Sequence, residues 1–139
     1  MNVVILCDVR WFNAVAWNAV ELAHALAEEG HDVVLAARHD SPPAIQARRR
    51  GVEVFDLPIE KAGPVRLARG VRALTEFARR RGVELFDAHR AEGFLAAIAA
   101  SRRLDGRVAV VRTRADIRPP KSHLLNRVLH RRGADLISA

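Results

Sequence analysis

The decapeptide RRRGVEVFDL at Arg48–Leu57 recurs almost unchanged as RRRGVELFDA at Arg79–Ala88, 31 residues later. Each copy passes from a cationic helix end through a glycine, which readily adopts the left-handed backbone that ends a helix, into a short apolar run. Such a run is typical of a strand that is buried on both faces of a parallel sheet. A strand, its crossover helix and the next parallel strand need about 30 residues. The repeat therefore predicts successive βα units.

The same pattern extends along the whole chain. Strands are predicted at 3–8, 32–37, 52–57, 83–88, 107–113 and 134–139, and helices at 14–29, 42–50, 65–81, 92–104 and 121–132. Alternating strands and helices indicate an α/β fold with a doubly wound parallel sheet and right-handed crossovers. The longer link at 58–64 fits a return across the sheet. The prediction is a Rossmann-like sheet of about six strands in the order 3-2-1-4-5-6.

This order makes the first and fourth strands neighbours at the point where the strand order reverses, and open α/β sheets bind ligands beside that point. The turns Asp8–Asn13 and Asp87–Gly93 are expected to face each other there, with Arg112–Pro120 beside them. Strands five and six lack a predicted helix on the face of helices one and two. We expect a further helix, a second domain or a partner subunit to cover that face, since bare apolar sheet faces are usually covered.

Composition fits a single domain spanning residues 1–139. The formal net charge is +7, and lysine occurs only at Lys61 and Lys121, so arginine supplies nearly all of the positive charge. This balance favours anionic partners such as phosphorylated substrates, nucleic acid or acidic lipid headgroups. A compositional bias of the genome, combined with solvated helix faces, is the alternative explanation.

Cys7 is the one cysteine, so the chain has no disulfide framework, and we expect a core thiol in a reducing compartment. The amino terminus lacks the basic leader and cleavage site of a signal peptide. No apolar run approaches the roughly 20 residues of a membrane-spanning helix. A cytoplasmic protein is expected, either free or peripheral to the inner membrane face.

Three functional side chains crowd into the turn after the fourth strand. His89 can donate, accept or stabilise a developing charge at neutral pH. Arg90 can bind a phosphate or carboxylate with two parallel hydrogen bonds, and Glu92 can orient that arginine or favour the helix N-terminus. The structural alternative for His89 is a cap on helix four or a bond to a neighbouring carbonyl.

The loop after the fifth strand alternates charged residues, namely Arg112, Arg114, Asp116 and Arg118. Three arginines beside a crevice predict an anionic ligand. The alternative is a loop whose arginines pair with Asp116 and with solvent.

Aromatic residues follow the first strand, where Arg10, Trp11, Phe12 and Asn13 are expected at the rim of the crevice. The faces of Trp11 and Phe12 suit sugar rings, although both can equally fill the gap above the first strand. Asn13 can cap helix one. Trp17, within that helix, is expected to pack.

Several other classes of site find little support. Neither a GxGxxG fingerprint nor a Walker GxxxxGK[ST] motif is present. His123 and His130 share a helix face, but two histidines without a third ligand make a poor metal site, so no metal is expected. Nucleic-acid binding is not expected, because the charge is scattered and no recognised motif appears. Helix three displays cationic residues that form either a solvated face or a docking surface for acidic lipids: Arg66, Arg69 and Arg72.

Three segments resemble the N-terminal domain of a GT-B glycosyltransferase of the retaining family-4 type. ELAHALAEEGHDVVLAAR (Glu21–Arg38) is similar to the first helix and second strand of that family. FDAHRAEGFLAAIAA (Phe86–Ala100) resembles its strand-four turn. RVAVVRTRADIRPP (107–120), followed by GADLISA (133–139), resembles its strand five, acceptor loop and strand six. The sequence departs from the family at Asp8–Asn13, where many members carry a Gly-Gly turn.

The resemblance implies the acceptor-binding half of an enzyme that transfers a hexose from a nucleotide sugar to an anionic or lipid-linked acceptor. His89 corresponds to the family's histidine at the interdomain cleft. No cofactor is expected on this domain, because the family holds the nucleotide-sugar donor on a C-terminal domain that this sequence lacks. The chain alone is therefore expected to be inactive. The implied acceptor-binding residues are Arg10, Trp11, Asn13, Arg90, Glu92, Arg112, Arg114, Asp116 and Arg118.

A second function class stays open at this point. The sequence also fits a non-enzymatic, flavodoxin-like binding or regulatory module, which could dimerise through its bare sheet face.

Overall fold

Strands and helices alternate throughout the described residues. The computed structural model describes residues 1–114 and 124–138. Its elements begin and end within two residues of the predictions, apart from the predicted start of helix five at 121–123, which lies outside the described residues. They are β1 (Asn2–Leu6), α1 (Ala14–Glu28), β2 (Asp32–Ala37), α2 (Pro42–Arg49), β3 (Glu53–Asp56), α3 (Pro64–Arg81), β4 (Leu85–Ala88), α4 (Ala91–Arg103), β5 (Ala109–Thr113), α5 (Leu124–Arg132) and β6 (Leu136–Ser138).

The six strands form one parallel sheet in the order β3-β2-β1-β4-β5-β6. The Rossmann-like prediction is thus confirmed, and β1 pairs with β4 through the register from Val3–Leu85 to Leu6–Ala88. Flavodoxin-like sheets follow the order 2-1-3-4-5 instead. The flavodoxin-like topology of the alternative is therefore wrong, because the chain returns past β1 only after building β2 and β3 on the same side. The binding or regulatory role in that alternative stays a prediction.

Each face of the sheet carries its own core, since successive side chains of a strand point to opposite faces. From β1, Val3 and Ile5 pack with α1 and α2, whereas Val4 and Leu6 pack with α3 and α4. Cys7 is buried on the α1 side, as predicted. The continuous apolar runs are thus explained by burial on both faces.

Both copies of the repeated decapeptide form a helix end, a glycine turn and the following strand. Gly51 and Gly82, the glycines of its two copies, have φ angles of 73° and 64°. Residues with a Cβ atom avoid this left-handed region, so glycine is the favoured residue for turning the chain from a helix into the next strand.

Trp17 does not pack, and the prediction that it does is wrong. Its exposed fraction is 55%. The buried face of α1 consists of Ala16, Ala19, Val20 and Ala23. These small residues let the helix lie close to the sheet, which leaves the adjacent Trp17 directed outward.

Strands β5 and β6 are poorly covered on the α1 side. Val111 is only half-buried, and its partner Leu136 is 60% exposed. The predicted gap is therefore present among the described residues. A helix, domain or subunit that covers it remains a prediction.

Helix α4 approaches β1 so closely at Gly93 that a side chain there would crowd Leu6. A Cβ atom added to Gly93 would lie 3.0 Å from Leu6 Cβ and 3.5 Å from the Leu6 carbonyl oxygen. This close approach brings the first turn of α4 over the end of β1 and next to the turn after β4.

Replacing Gly93 by valine is expected to lower the free energy of unfolding by about 1–3 kcal/mol, because the new side chain must displace α4 from Leu6. Urea denaturation measures this change. Gly63→Val is the control, since a Cβ atom there meets nothing within 4 Å. Gly63 is the N-cap of α3, so this variant should lose only the smaller amount that a poorer cap costs, about 0.5–1 kcal/mol. Equal losses in both variants would contradict the proposed contact.

Candidate functional site

A cavity of about 270 Å³ lies at the carboxyl ends of β4 and β5, where α4 begins. Its lining residues are Val15, His89, Arg90, Ala91, Glu92, Arg112 and Arg114. The three arginines and one glutamate give this lining a formal charge of +2 when His89 is neutral. The cavity is therefore suited to an anion.

His89 is fixed at the base of this region. Its side chain is fully buried, its backbone N–H donates to the Leu6 carbonyl at 3.0 Å, and its Nε2 atom lies 3.2 Å from Asp87 Oδ2. With the carboxylate accepting from Nε2–H, the other ring nitrogen is left as an acceptor. That atom, Nδ1, is buried without a hydrogen-bond partner among the described residues. Burying a polar atom unpaired costs about 1–3 kcal/mol, so this histidine is unusual for a purely structural one.

Arg112 is the most confined of the three arginines. Its Nη1 atom donates to the Ala88 carbonyl at 2.9 Å, and its guanidinium lies 5.6 Å from the centre of the Phe94 ring. Burial lowers the pKa of Arg112, and the neighbouring cations Arg114 and Arg90 lower it further. The Nε atom of Arg112 is buried without a partner in the described part of the chain. A bound anion would reduce the repulsion between Arg112 and the neighbouring cations and would accept a hydrogen bond from the unpaired Nε–H of Arg112.

Helix α4 adds a further favourable field for negative charge. Arg90 occupies its N-cap position and makes no side-chain cap hydrogen bond, while Glu92 lies in the first turn with Oε2 4.0 Å from Arg90 Nε. The backbone N–H groups of a helix N-terminus carry a partial positive charge. Glu92 thus partly neutralises the helix end. Its acceptor-binding role stays a prediction.

A second polar cluster lies on the far side of β1. Asp8 is buried, and its carboxylate accepts from the backbone N–H of Glu60 at 2.7 Å and from that of Arg38 at 3.2 Å. Arg38 Nη2 also lies 3.9 Å from Asp8 Oδ2. The Glu60 side chain is bound by Arg10 Nε at 3.0 Å. These contacts join the loops after β1, β2 and β3.

The structure brings together only part of the predicted binding set. His89, Arg90, Glu92, Arg112 and Arg114 line one cavity. Asp116 and Arg118 lie outside the described residues.

The three candidates from the loop after β1 do not line that cavity. Arg10 is engaged by Glu60, and Asn13 Oδ1 accepts from the Ala16 N–H as the cap of α1. Trp11 is 64% exposed. Neither the sugar-binding role nor the gap-filling role of Trp11 is supported by a contact.

Sequence reasoning missed Asp87 as the partner of His89, and it missed the cluster around Asp8. The available signal was an acidic residue close to the carboxyl end of a buried strand, since Asp8 follows β1 by two residues and Asp87 is the last but one residue of β4. Such residues lie at the edge where ligands bind in this fold class.

Metal ligation and membrane crossing find no basis in the described residues. No group of three or more His, Cys, Asp or Glu side chains there is placed to hold a metal ion. None of the described helices has the length and hydropathy that crossing a membrane requires.

Comparisons with known proteins agree on the fold. Residues 13–139 match the family described as Glycosyl transferase 4-like domain. No curated protein sequence is significantly similar to the chain. Among solved structures, MurG of Acinetobacter baumannii is 13% identical with a TM-score of 0.74, and the match covers 99% of this chain and 40% of MurG.

Two further solved structures share this fold. HepE of Anabaena, solved in complex with UDP and glucose, is 18% identical with a TM-score of 0.75 over 99% of this chain and 37% of HepE. A glycosyltransferase of Rickettsia africae is 12% identical with a TM-score of 0.69 over 81% of this chain and 29% of its own. The chain thus spans less than half the length of the structures that it matches. At these identities the likeness shows the fold alone.

The reactivity of Cys7 tests whether reagents are excluded from the core on the α1 side of the sheet. Burial raises the pKa of the Cys7 thiol from 9.0 to about 12, opposed by Arg90 and assisted by Asp8 and Asp87. We expect the thiol to resist an aromatic disulfide reagent near pH 8 in the folded chain and to react once urea unfolds it, because only the thiolate attacks.

The same shift has a consequence for stability. The unfolded thiol ionises near pH 8.5, whereas the folded one stays neutral, so its contribution is fully present below that pH and is lost as the pH rises towards 12. The difference in unfolding free energy between the parent chain and Cys7→Ala should therefore shrink between about pH 8 and pH 10. Rapid reaction of the folded thiol would contradict the burial of Cys7 in this core.

Proposed function

Since the chain belongs to the glycosyl transferase 4-like domain family, we propose that it forms the acceptor-binding half of an enzyme that transfers a hexose from a nucleotide sugar. The observation that carries this proposal is the cationic cavity at the point where the strand order reverses, with His89 at its base. Family membership supports the reaction class, and the cavity supports the part that this domain plays in it.

The acceptor is proposed to be anionic. A formal charge of +2, the N-terminus of α4 and the unpaired Nε atom of Arg112 all favour a phosphate or carboxylate. A volume of about 270 Å³ is near the lower limit for ligand pockets. The cavity therefore suits the charged end of an acceptor, such as a sugar phosphate or a lipid headgroup, with the remainder outside.

His89 is proposed to position the acceptor. Asp87 holds the ring through Nε2, so Nδ1 is the nitrogen left to accept a proton or hydrogen bond. An acceptor hydroxyl that donates to Nδ1 would satisfy this buried atom and fix the direction of the hydroxyl oxygen. Orientation of this kind lowers the entropic part of a reaction barrier.

The donor is proposed to bind elsewhere, on a C-terminal GT-B domain or a partner subunit, with no cofactor on this domain. HepE, of which this chain spans 37%, has been solved with UDP and glucose. By analogy with the family, transfer would retain the anomeric configuration. The isolated chain should then bind acceptor weakly and show little or no turnover.

Peripheral membrane contact is a further part of the proposal, and it would keep the protein at the cytoplasmic face. Arg66, Arg69 and Arg72 are exposed on α3, and Arg66 and Arg69 share a shallow cavity of about 410 Å³ with Lys61. Cations near an anionic membrane contribute about 1 kcal/mol each. A solvated helix face is the simpler explanation, and the vesicle experiment below separates the two.

The acceptor proposal is tested with glucose 6-phosphate and glucose, which share a ring and differ in charge. We expect the phosphate ester to shift the backbone amide resonances of residues 89–92 and 112–114 in a saturable way, and glucose to bind at least tenfold more weakly. Arg90→Gln with Arg114→Gln should weaken the phosphate ester at least tenfold, because two guanidinium contacts to a phosphate are lost.

Arg127→Gln with Arg131→Gln is the control, since both residues are exposed on α5 and the change in net charge is equal. Equal weakening by the two double variants would overturn the assigned cavity. Robust turnover of a nucleotide sugar by the isolated chain would show that the donor site has been misplaced.

Membrane contact is tested by co-sedimentation with vesicles that contain or lack phosphatidylglycerol. Replacing Arg66, Arg69 and Arg72 by glutamine should reduce binding to anionic vesicles by about 100-fold, from roughly 1 kcal/mol for each cation. The triple glutamine variant of Arg127, Arg131 and Arg132 is matched in charge and should bind nearly as the parent does. Equal binding of neutral and anionic vesicles would contradict the role of α3.

A further inference from the structure

A second cationic cavity lies at the opposite edge of the sheet. Its volume is about 360 Å³, and it opens between the end of α3 and the turn that follows α4. Its residues are Ala78, Arg79, Gly82, Val83, Arg103, Leu104, Asp105, Arg107 and Val108. Val83 and His89 lie at opposite ends of β4, so the two cavities are separated by about 20 Å at the rise of a β-strand.

The three arginines of this cavity have no protein partner. The side chains of Arg79, Arg103 and Arg107 make no hydrogen bond or ion pair with any other described residue. The next arginine of α3 to face inward, Arg81, behaves differently, because it binds the carboxylates of Asp32 and Glu53 at 2.7 and 2.8 Å. The chain thus pairs one arginine of this region fully and leaves three around a cavity.

The cavity combines this charge with an apolar base. Ala78, Val83 and Val108 are buried beneath it. Together with Asp105, the three arginines give a formal charge of +2. A neighbouring cavity of about 360 Å³ shares Arg79 and Arg103 and continues along the groove between α3 and α4. Guanidinium groups above an apolar base suit an organic phosphate, whose phosphoryl oxygens accept from arginine while its carbon skeleton covers the base.

Cations at the end of a helix have an ordinary role, since they oppose the negative end of the helix dipole. Arg80 and Arg102 fulfil that role equally well by position, because each adjoins one of the cavity arginines in the last turn of its helix. Neither Arg80 nor Arg102 lines the cavity. Dipole compensation therefore does not account for the three exposed arginines that line one open cavity.

We propose that the cavity between the ends of α3 and α4 is a binding site for a small phosphorylated molecule, separate from the acceptor cavity. Arg79, Arg103 and Arg107 bind the phosphoryl group, and Ala78, Val83 and Val108 contact its organic part. A ligand bound there contacts both α3 and the turn before β5, and it lies at a distance from the acceptor cavity. The proposal does not depend on the sugar-transfer reaction.

Matched control variants are available, because Arg79 and Arg103 each have a neighbouring arginine in the chain that does not line the cavity. Arg79→Gln with Arg103→Gln removes two cavity cations, and Arg80→Gln with Arg102→Gln makes the same change in charge outside it. The probes are inorganic phosphate and phenyl phosphate, followed through the backbone amide resonances of the parent chain and both variants.

Saturable shifts at Gly82, Val83 and residues 104–108 are expected, with phenyl phosphate at least fivefold tighter than inorganic phosphate. The cavity variant should lose at least tenfold in affinity, and the control less than twofold. Tighter binding of phenyl phosphate assigns the ligand to organic phosphates, and equal binding of both probes assigns it to free phosphate. Equal losses in the two variants, or no saturable shift at these amides, would overturn the proposal, whereas shifts at residues 89–92 report the acceptor cavity separately.

Discussion

The pairing of β1 with β4 is the contact on which the rest of the structure depends. Leu6 pairs with Ala88, and the Leu6 carbonyl accepts the His89 N–H at 3.0 Å, so the ladder continues one step beyond β4 and holds the turn in place. Helix α4 can follow directly because Gly93 leaves room for Leu6. Two strands that are far apart in sequence thereby place a histidine, a helix N-terminus and the arginine at the end of β5 around one cavity.

This arrangement leaves polar atoms of the described residues buried without partners. Asp87 Oδ1 in β4, His89 Nδ1 in the turn after it and Arg112 Nε in β5 have none, and neither do Arg38 Nε and Nη2 after the end of β2. Unpaired buried groups are costly, and folded proteins usually avoid them. Three of these five atoms lie in β4, β5 and the turn after β4, beside the switch point of the sheet, which indicates a surface organised for a ligand. The apolar cores on either face supply the stability that tolerates this cost.

Positive charge is distributed over both edges of the sheet in different surroundings. At the carboxyl edge, arginines adjoin a helix N-terminus and a buried histidine. At the amino edge, they surround an apolar base between two helix C-termini. The first environment favours an anion through dipole and charge together, whereas in the second the arginines favour an anion and the helix dipoles oppose it.

The sequence by itself determined the α/β class, the strand order and the family. These follow from local signals, since apolar runs, helix-ending glycines and the decapeptide repeat each act over a few residues and all agree. It also placed His89, Arg90, Glu92, Arg112 and Arg114 in the crevice, because each lies at the end of a strand or just after one.

Tertiary structure alone decided the direction of the side chains. In the folded chain Trp17 points outward and Arg10 binds Glu60. Asn13 caps α1, and His89 forms a hydrogen bond with Asp87. Such pairings depend on which loops meet across the sheet, and sequence periodicity carries no information about distances between residues so far apart in the chain.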